Sequence, residues 1–300
     1  MFKIKDDGLA RYAAEREALL PFEIDEILMR GDELASQTTL VTTLQEGGTA
    51  IFPHTYIKKC GDQIAAVALS ALEACETSGK NQILVLGVLH HLREPLISGW
   101  NKGRAGADLT DEPTRGFFEP GPLEQEFIKH EYSLDHFMFL LEQIAKRKGQ
   151  SLPKTFIVYP HLIQGKPEEI RGADKLKNIA RESIVVATSD LCHHGIAYGL
   201  KREETIPVTH ADTLARDVIE KNLSLLSGRD LFAYRQYALD TLSDSTDVGQ
   251  TLQFLMGPLK GIIRDLRVVD VSFLFDKDPQ PSWVAATLVE LKSFSKNKMG

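Results

Sequence analysis

Cysteine is scarce: Cys60, Cys75 and Cys192 are the only three in 300 residues. An odd number at irregular spacing excludes a disulfide framework and a zinc ribbon. Long apolar runs are missing too, since no stretch of about 18 residues could cross a bilayer. The charged start Met-Phe-Lys-Ile-Lys-Asp-Asp lacks the apolar stretch of about 7–15 residues that marks a signal peptide. The expected compartment is therefore the cytoplasm, with no membrane partner. Basic excess is absent as well: 35 Lys+Arg stand against 42 Asp+Glu, a net charge of −7. That argues against a dedicated nucleic-acid binder, which normally shows a basic face to neutralise phosphates. Neither a Gly-x-Gly-x-x-Gly fingerprint nor a Gly-Lys-Ser/Thr loop occurs, so a Rossmann dinucleotide site and a P-loop lack support. Gly-x-Ser-x-Gly is also missing, which disfavours a hydrolase triad.

What is present describes a folded globular chain, with 43% hydrophobic and 26% charged residues. The first forty-odd residues read as two helices, broken at Pro21, without evident chemistry. From about residue 49, short apolar runs alternate with helices. Strands are expected at 49–53, 82–87, 155–159 and 184–188. Helices are expected at 60–75, 134–144 (with Ser133 as N-cap), 168–180, 210–226, 229–239 and 247–263. Two final strands, 267–275 and 283–291, form a hairpin. This alternation predicts one α/β domain over 46–300, preceded by a helical extension over 1–45. A mostly parallel, mixed central sheet would carry helices on both faces. The Gly- and Pro-rich stretch 98–122 reads as a mobile loop at a cavity mouth.

Chemistry-bearing residues cluster after the strands. His54 follows the first, His90 and His91 the second, and Asp190, Cys192, His193 and His194 the fourth. Open α/β sheets bind ligands beyond the carboxyl ends of their strands, so parallel strands would gather these side chains at one edge. The His90-His91 and His193-His194 doublets do not say which member points inward. Cys192 reads either as a nucleophile or as an inert buried thiol.

In series, several segments resemble the Memo family, also called protein B of the AmmeMemoRadiSam system. They are Phe52-Pro-His-Thr-Tyr56 with Cys60-Gly61, Leu86-Gly-Val-Leu-His-His91, Glu131-Tyr-Ser-Leu-Asp135 and Ser189-Asp-Leu-Cys-His-His-Gly195. Asp247-Val-Gly249 and Trp283-Val-Ala-Ala-Thr-Leu288 extend the likeness, which covers about 49–291. The resemblance implies a class III extradiol dioxygenase-like fold with a metal-type cavity. It assigns His54 and His90 as metal ligands and Asp190 and His193 as cavity residues. Three departures stand out: Ser243 where the family has a cavity Cys, Tyr132 where it has His, and Thr55 directly before Tyr56.

Two imidazoles and a carboxylate (His54, His90, Asp190) would leave coordination positions open, as in non-haem Fe(II) oxygenases. His193, with Asp190, would then serve acid–base chemistry on a diol. One transition-metal ion is expected, Fe(II) first, with copper or zinc as the other choices. His91, Cys192, His194, Tyr56 and Ser243 complete the expected cavity. Without a metal, the same cluster would suit anions or a peptide tail, making the chain a binding module rather than an enzyme. The system name further implies radical-SAM and AMMECR1-like proteins as partners, beside a small-molecule or peptide ligand.

Overall fold

The computed structural model describes residues 8–90, 116–120, 131–162, 165–170, 172–228 and 230–294. Its frame is an eight-stranded mixed sheet. In chain order the strands are β1 (Thr49–Phe52), β2 (Gln82–Leu86), β3 (Gly116–Phe118), β4 (Lys154–His161), β5 (Ile184–Thr188), β6 (His193–Gly195), β7 (Leu259–Asp270) and β8 (Ser282–Ser293). Strands β4, β2, β5 and β1 lie side by side in that order and run parallel. β3 adds antiparallel to β4. β8 runs antiparallel to β1, β6 and β7.

The central strands are apolar on both sides because helices cover both faces. Ala50 and Phe52 of β1, Ile83 and Val85 of β2, and Val186 of β5 join one core. Their neighbours Ile51, Leu84, Leu86, Val185 and Ala187 join the other. This is the period-two alternation of a pleated strand with no solvent face to spare. All five side chains of β5, Ile-Val-Val-Ala-Thr, are buried, and its β-branched residues suit that setting.

The first core lies under α1 (Gly8–Glu17), α2 (Pro21–Ser36), α3 (Leu40–Gln45), α4 (Ile57–Ser78) and α5 (Asp135–Lys148). The second lies under α6 (Ala173–Glu182), α7 (Asp212–Ser227), α8 (Leu231–Asp240) and α9 (Thr246–Met256). Helix α4 carries small residues where others approach: a Cβ on Gly31 of α2 would stand 2.6 Å from Ala65 Cβ. Phe52 and Phe137 stack at 4.8 Å inside the first core, tying β1 to α5 directly behind the strand end that matters below.

Two expected elements are corrected. The helix over 247–263 stops at Met256, where Gly257 turns left-handed (φ 80°) and Pro258 follows. Leu259, Ile262 and Ile263 have helical spacing, but they begin β7, whose backbone bonds go to β8. The strand over 267–275 likewise ends at Asp270, and 272–274 is a 3-10 turn. Of the stretch 98–122, only 116–120 falls within the described residues. Among the described residues no helix is long and apolar enough to cross a membrane.

Candidate metal centre

Three neighbouring parallel strands deliver the first side chains. His54 stands two residues beyond β1, Asp190 two beyond β5 and His90 four beyond β2, and β2, β5 and β1 are adjacent in the sheet. The two imidazoles meet with ring centroids 4.9 Å apart.

Each ring is fixed from behind. The Thr188 hydroxyl donates to the Phe52 carbonyl at 2.9 Å, so its oxygen accepts from His54 Nδ1 at 3.1 Å. Nδ1 therefore carries the hydrogen and Nε2 points into the site. His90 is held by Glu131, whose Oε1 lies 2.9 Å from the ring Nδ1 and whose Oε2 accepts the His90 backbone N–H at 2.6 Å. Glu131 also accepts the backbone N–H groups of Tyr132 and Ser133, both at 2.9 Å. Burial opposes ionisation of Glu131, but the His90 charge and these donors outweigh it and bring its carboxyl down to about 2. The same pairing, with Asp244, overcomes burial and raises His90 to about 10.

The expected N-cap is corrected here: Ser133 makes no cap bond to α5. Its hydroxyl donates to the Val88 carbonyl (2.9 Å) and accepts the Val88 N–H (3.2 Å). That clamps the strand end carrying His90.

The third donor is Asp244, on the turn between α8 and α9. Its Oδ2 lies 3.2 Å from His54 Nε2 and 3.8 Å from His90 Nε2. Its Oδ1 accepts the Ser189 hydroxyl at 2.6 Å. His54, His90 and Asp244 offer ligand atoms all within 4.8 Å of one another, and so do Asp190, His193 and Asp244. Asp244 is thus shared by two overlapping triads. Burial opposes its charge, but His54 and His90 outweigh that and hold its carboxyl far below the ordinary range. Asp190 moves the other way. Burial raises it and the Asp244 charge adds to that, against the pull of His54. Of the two acids, Asp244 keeps the charge and Asp190 more readily takes a proton. His54 rises because the Asp190 and Asp244 carboxylates overcome the burial that lowers it.

His193 bonds through Nδ1 to the Leu242 carbonyl at 2.6 Å, leaving Nε2 as the atom it can offer. Leu242 is left-handed (φ 55°), a conformation that costs a residue with a Cβ roughly 1–2 kcal/mol. Such strain persists where surrounding structure imposes it, and here it aims a carbonyl at His193 just before Asp244. The turn is braced by Tyr234, whose hydroxyl bonds Ser245 Oγ at 2.8 Å. Gly249 makes room for that ring, since a Cβ there would lie 2.0 Å from the Tyr234 hydroxyl.

The structure therefore brings His54, His90, Asp190 and His193 together, with Tyr56 in the aromatic wall beside them. Ser243 is buried next to Asp244, but its hydroxyl is committed to the turn, 2.7 Å from Ser245 Oγ. Two expected cavity residues are corrected. His194 stacks on Trp283 at 4.7 Å and its Nε2 accepts the Ile206 N–H at 2.9 Å. It is a neutral structural imidazole, lowered by burial. Cys192 packs into the second core, where burial pushes its thiol up to about 12. His194 turns away from His193 because β6 is a strand, in which successive residues face opposite sides, and Cys192 lies just before that strand. His91 lies outside the described residues.

Four contributions escaped the sequence reading. Asp244 stands after no strand, so the strand-end signal is silent on it, although it directly follows Ser243. Glu131 sits in a quoted motif without an assigned role, and Ser133 in the same motif reads there only as an N-cap. Tyr12, on α1, stacks between Tyr56 (4.8 Å) and Tyr132 (4.9 Å), while Tyr132 stacks on His90 (4.8 Å). No spacing in the sequence signals that contact.

The buried cluster of His54, His90, Asp190 and Asp244 could hold a metal ion. Asp244 Oδ2 is buried without a hydrogen bond among the described residues, although two imidazole nitrogens converge on it. A nitrogen–nitrogen–oxygen set with each ligand braced from outside is how metal ligands are held. Compared with known proteins, the chain matches no family model and no curated protein.

Proposed function

We propose that the chain is a metal-dependent, dioxygenase-like oxidoreductase of the kind the Memo resemblance implies, with Fe(II) on His54, His90 and Asp244. The observation that carries this is the convergence of both Nε2 atoms on Asp244 Oδ2, behind which Thr188, Glu131 and Ser189 fix all three side chains. Asp244 takes the carboxylate role that the strand-end pattern gave to Asp190. A hard oxygen donor in place of the family thiol favours iron or zinc over copper(I). Bound there, the ion would supply Lewis-acid and redox chemistry toward O₂ and a small aromatic diol.

The chain's own residues supply positioning and proton transfer. Thr188 and Glu131 keep both imidazoles with Nε2 inward. Asp190, raised by burial and by Asp244, can accept a proton from a diol hydroxyl. His193 is oriented by the Leu242 carbonyl and stands in the triad with Asp190, ready to pass that proton on. Tyr132, stacked on His90, closes one side against water.

A second function is favoured by one observation: His54 and His90 each have a carboxylate partner within the chain, Asp244 and Glu131. A polar cavity of that kind would hold a peptide for a partner, with radical-SAM and AMMECR1-like proteins the partners the resemblance suggests, in the cytoplasm. Anaerobic Fe(II) loading followed by oxygen uptake over a catechol panel separates the two. Uptake lost in His90→Ala and Asp244→Asn supports the oxidoreductase. A fully loaded metal site with no uptake favours the binding module.

A further inference from the structure

His90, Tyr132, Tyr12 and Tyr56 lie ring on ring, with centroid spacings of 4.8, 4.9 and 4.8 Å and interplanar angles of 18°, 16° and 25°. His90, Tyr132 and Tyr56 flank the strand ends of the metal centre, but Tyr12 reaches in from α1. Without it, Tyr56 and Tyr132 would face each other across a slot one aromatic ring thick. The described side chains of the helix that fills this slot make few ties to the rest of the fold. Of its described side chains, 12–17, Tyr12 alone is buried. It is tied besides by the Arg16–Asp135 ion pair (3.1 Å), whose carboxylate is half-exposed, and by the Lys58 N–H donating to Glu15 Oε1 at 3.3 Å.

A second observation points to a ligand. His136, in the first turn of α5, borders the slot with its ring 6.1 Å from that of Tyr12. It is 2% exposed, and neither ring nitrogen has a hydrogen-bond partner among the described residues. Burial, reinforced by Arg16 and His54, lowers it to about 3. The imidazole is therefore neutral and holds an acceptor lone pair that Tyr12 leaves unused.

We propose that the Tyr12 slot is a binding site for a planar aromatic ring bearing adjacent hydroxyls, and that α1 is its resident occupant, displaced by that ligand. Two facing tyrosines recognise a flat ring by stacking. The phenol of Tyr12 is itself such a ring with one hydroxyl, and a second hydroxyl on the ring edge spans the gap to His136. Because α1 competes in cis, apparent affinity falls with the fraction of chains in which the slot is closed. The ligand class rests on the diol chemistry proposed above, whereas the slot itself rests on the ring geometry alone.

The test is titration of 4-nitrocatechol into the full, chelator-treated, metal-free chain, read by its visible spectrum. Tyr12→Ala is expected to bind at least about tenfold tighter than the wild type. Arg16→Ala, which loosens α1 but keeps the ring, is expected to tighten binding by a smaller factor. Adding His136→Phe to Tyr12→Ala is expected to remove most of the gain, and unchanged affinity there would overturn the role of His136. If Tyr12→Ala and Arg16→Ala, folded by circular dichroism, bind no tighter than wild type, the slot is refuted. Should Tyr12→Ala fail to fold, Arg16→Ala decides by the same criterion. Tight metal-free binding without oxygen uptake by the iron-loaded chain would support the slot while counting against the oxidoreductase.

Discussion

Glu131 grips His90 twice, taking its backbone N–H on Oε2 at 2.6 Å and its ring Nδ1–H on Oε1 at 2.9 Å. One buried carboxylate thus sets both the position and the tautomer of a metal-facing imidazole. Outer partners of this kind are worth roughly 10–100-fold in metal affinity. Glu131→Gln is therefore expected to weaken Zn(II) or Fe(II) binding by about that factor, measured by competition with a chromophoric chelator. An unchanged affinity would show that His90 needs no such support.

Replacing the third donor should be more severe. Asp244→Asn removes the shared charge of both triads and is expected to abolish stoichiometric metal binding. Ser243→Ala, one residue away, is expected to leave it intact, because that hydroxyl bonds within the turn. Metal content per chain by mass spectrometry checks both, and the reverse order of effects would place the ligand at position 243 instead.

Metal uptake should release protons. His90 is raised to about 10, so at neutral pH in the metal-free chain its Nε2 carries a proton that an ion must displace, and His54 is raised in the same direction. Affinity is accordingly expected to increase with pH from about 6.5, the ordinary value, toward the His90 value of about 10. Titrating Zn(II) into weakly buffered protein at pH 7 should release at least one proton per ion. Uptake without release would contradict the charge state assigned here.

Acid stability carries a separate signature. A carboxyl lowered to about 2 stabilises the fold above its unfolded value and loses that contribution as pH falls through the folded one. Wild-type chain is expected to lose stability in urea between about pH 4.5 and pH 2 more steeply than Glu131→Gln, since the ordinary Glu value is about 4.3. Parallel curves would show that Glu131 contributes no such dependence.

Much of this was legible in the sequence because its physics is local. The β5 run Ile-Val-Val-Ala-Thr is short and β-branched, which favours a buried strand, and His54 and Asp190 come two residues after strand ends. What was illegible depends on contacts between distant segments. Asp244 reaches the site from a helix–helix turn, and Tyr12 from a helix with one buried anchor among its described side chains. Leu259 to Ile263 has helical spacing, and only the open edge of β8, together with the Gly257-Pro258 stop, makes it a strand. His193 and His194 are adjacent in sequence, so only the pleat of β6 decides which faces the metal centre.

The central claim is tested most directly by anomalous scattering from crystals grown with Fe(II) or Zn(II). One peak per chain is expected, about 2.0–2.2 Å from His54 Nε2, His90 Nε2 and an Asp244 carboxylate oxygen. A metal-soaked crystal with no peak there, or with an ion held without His54 and His90, would contradict it.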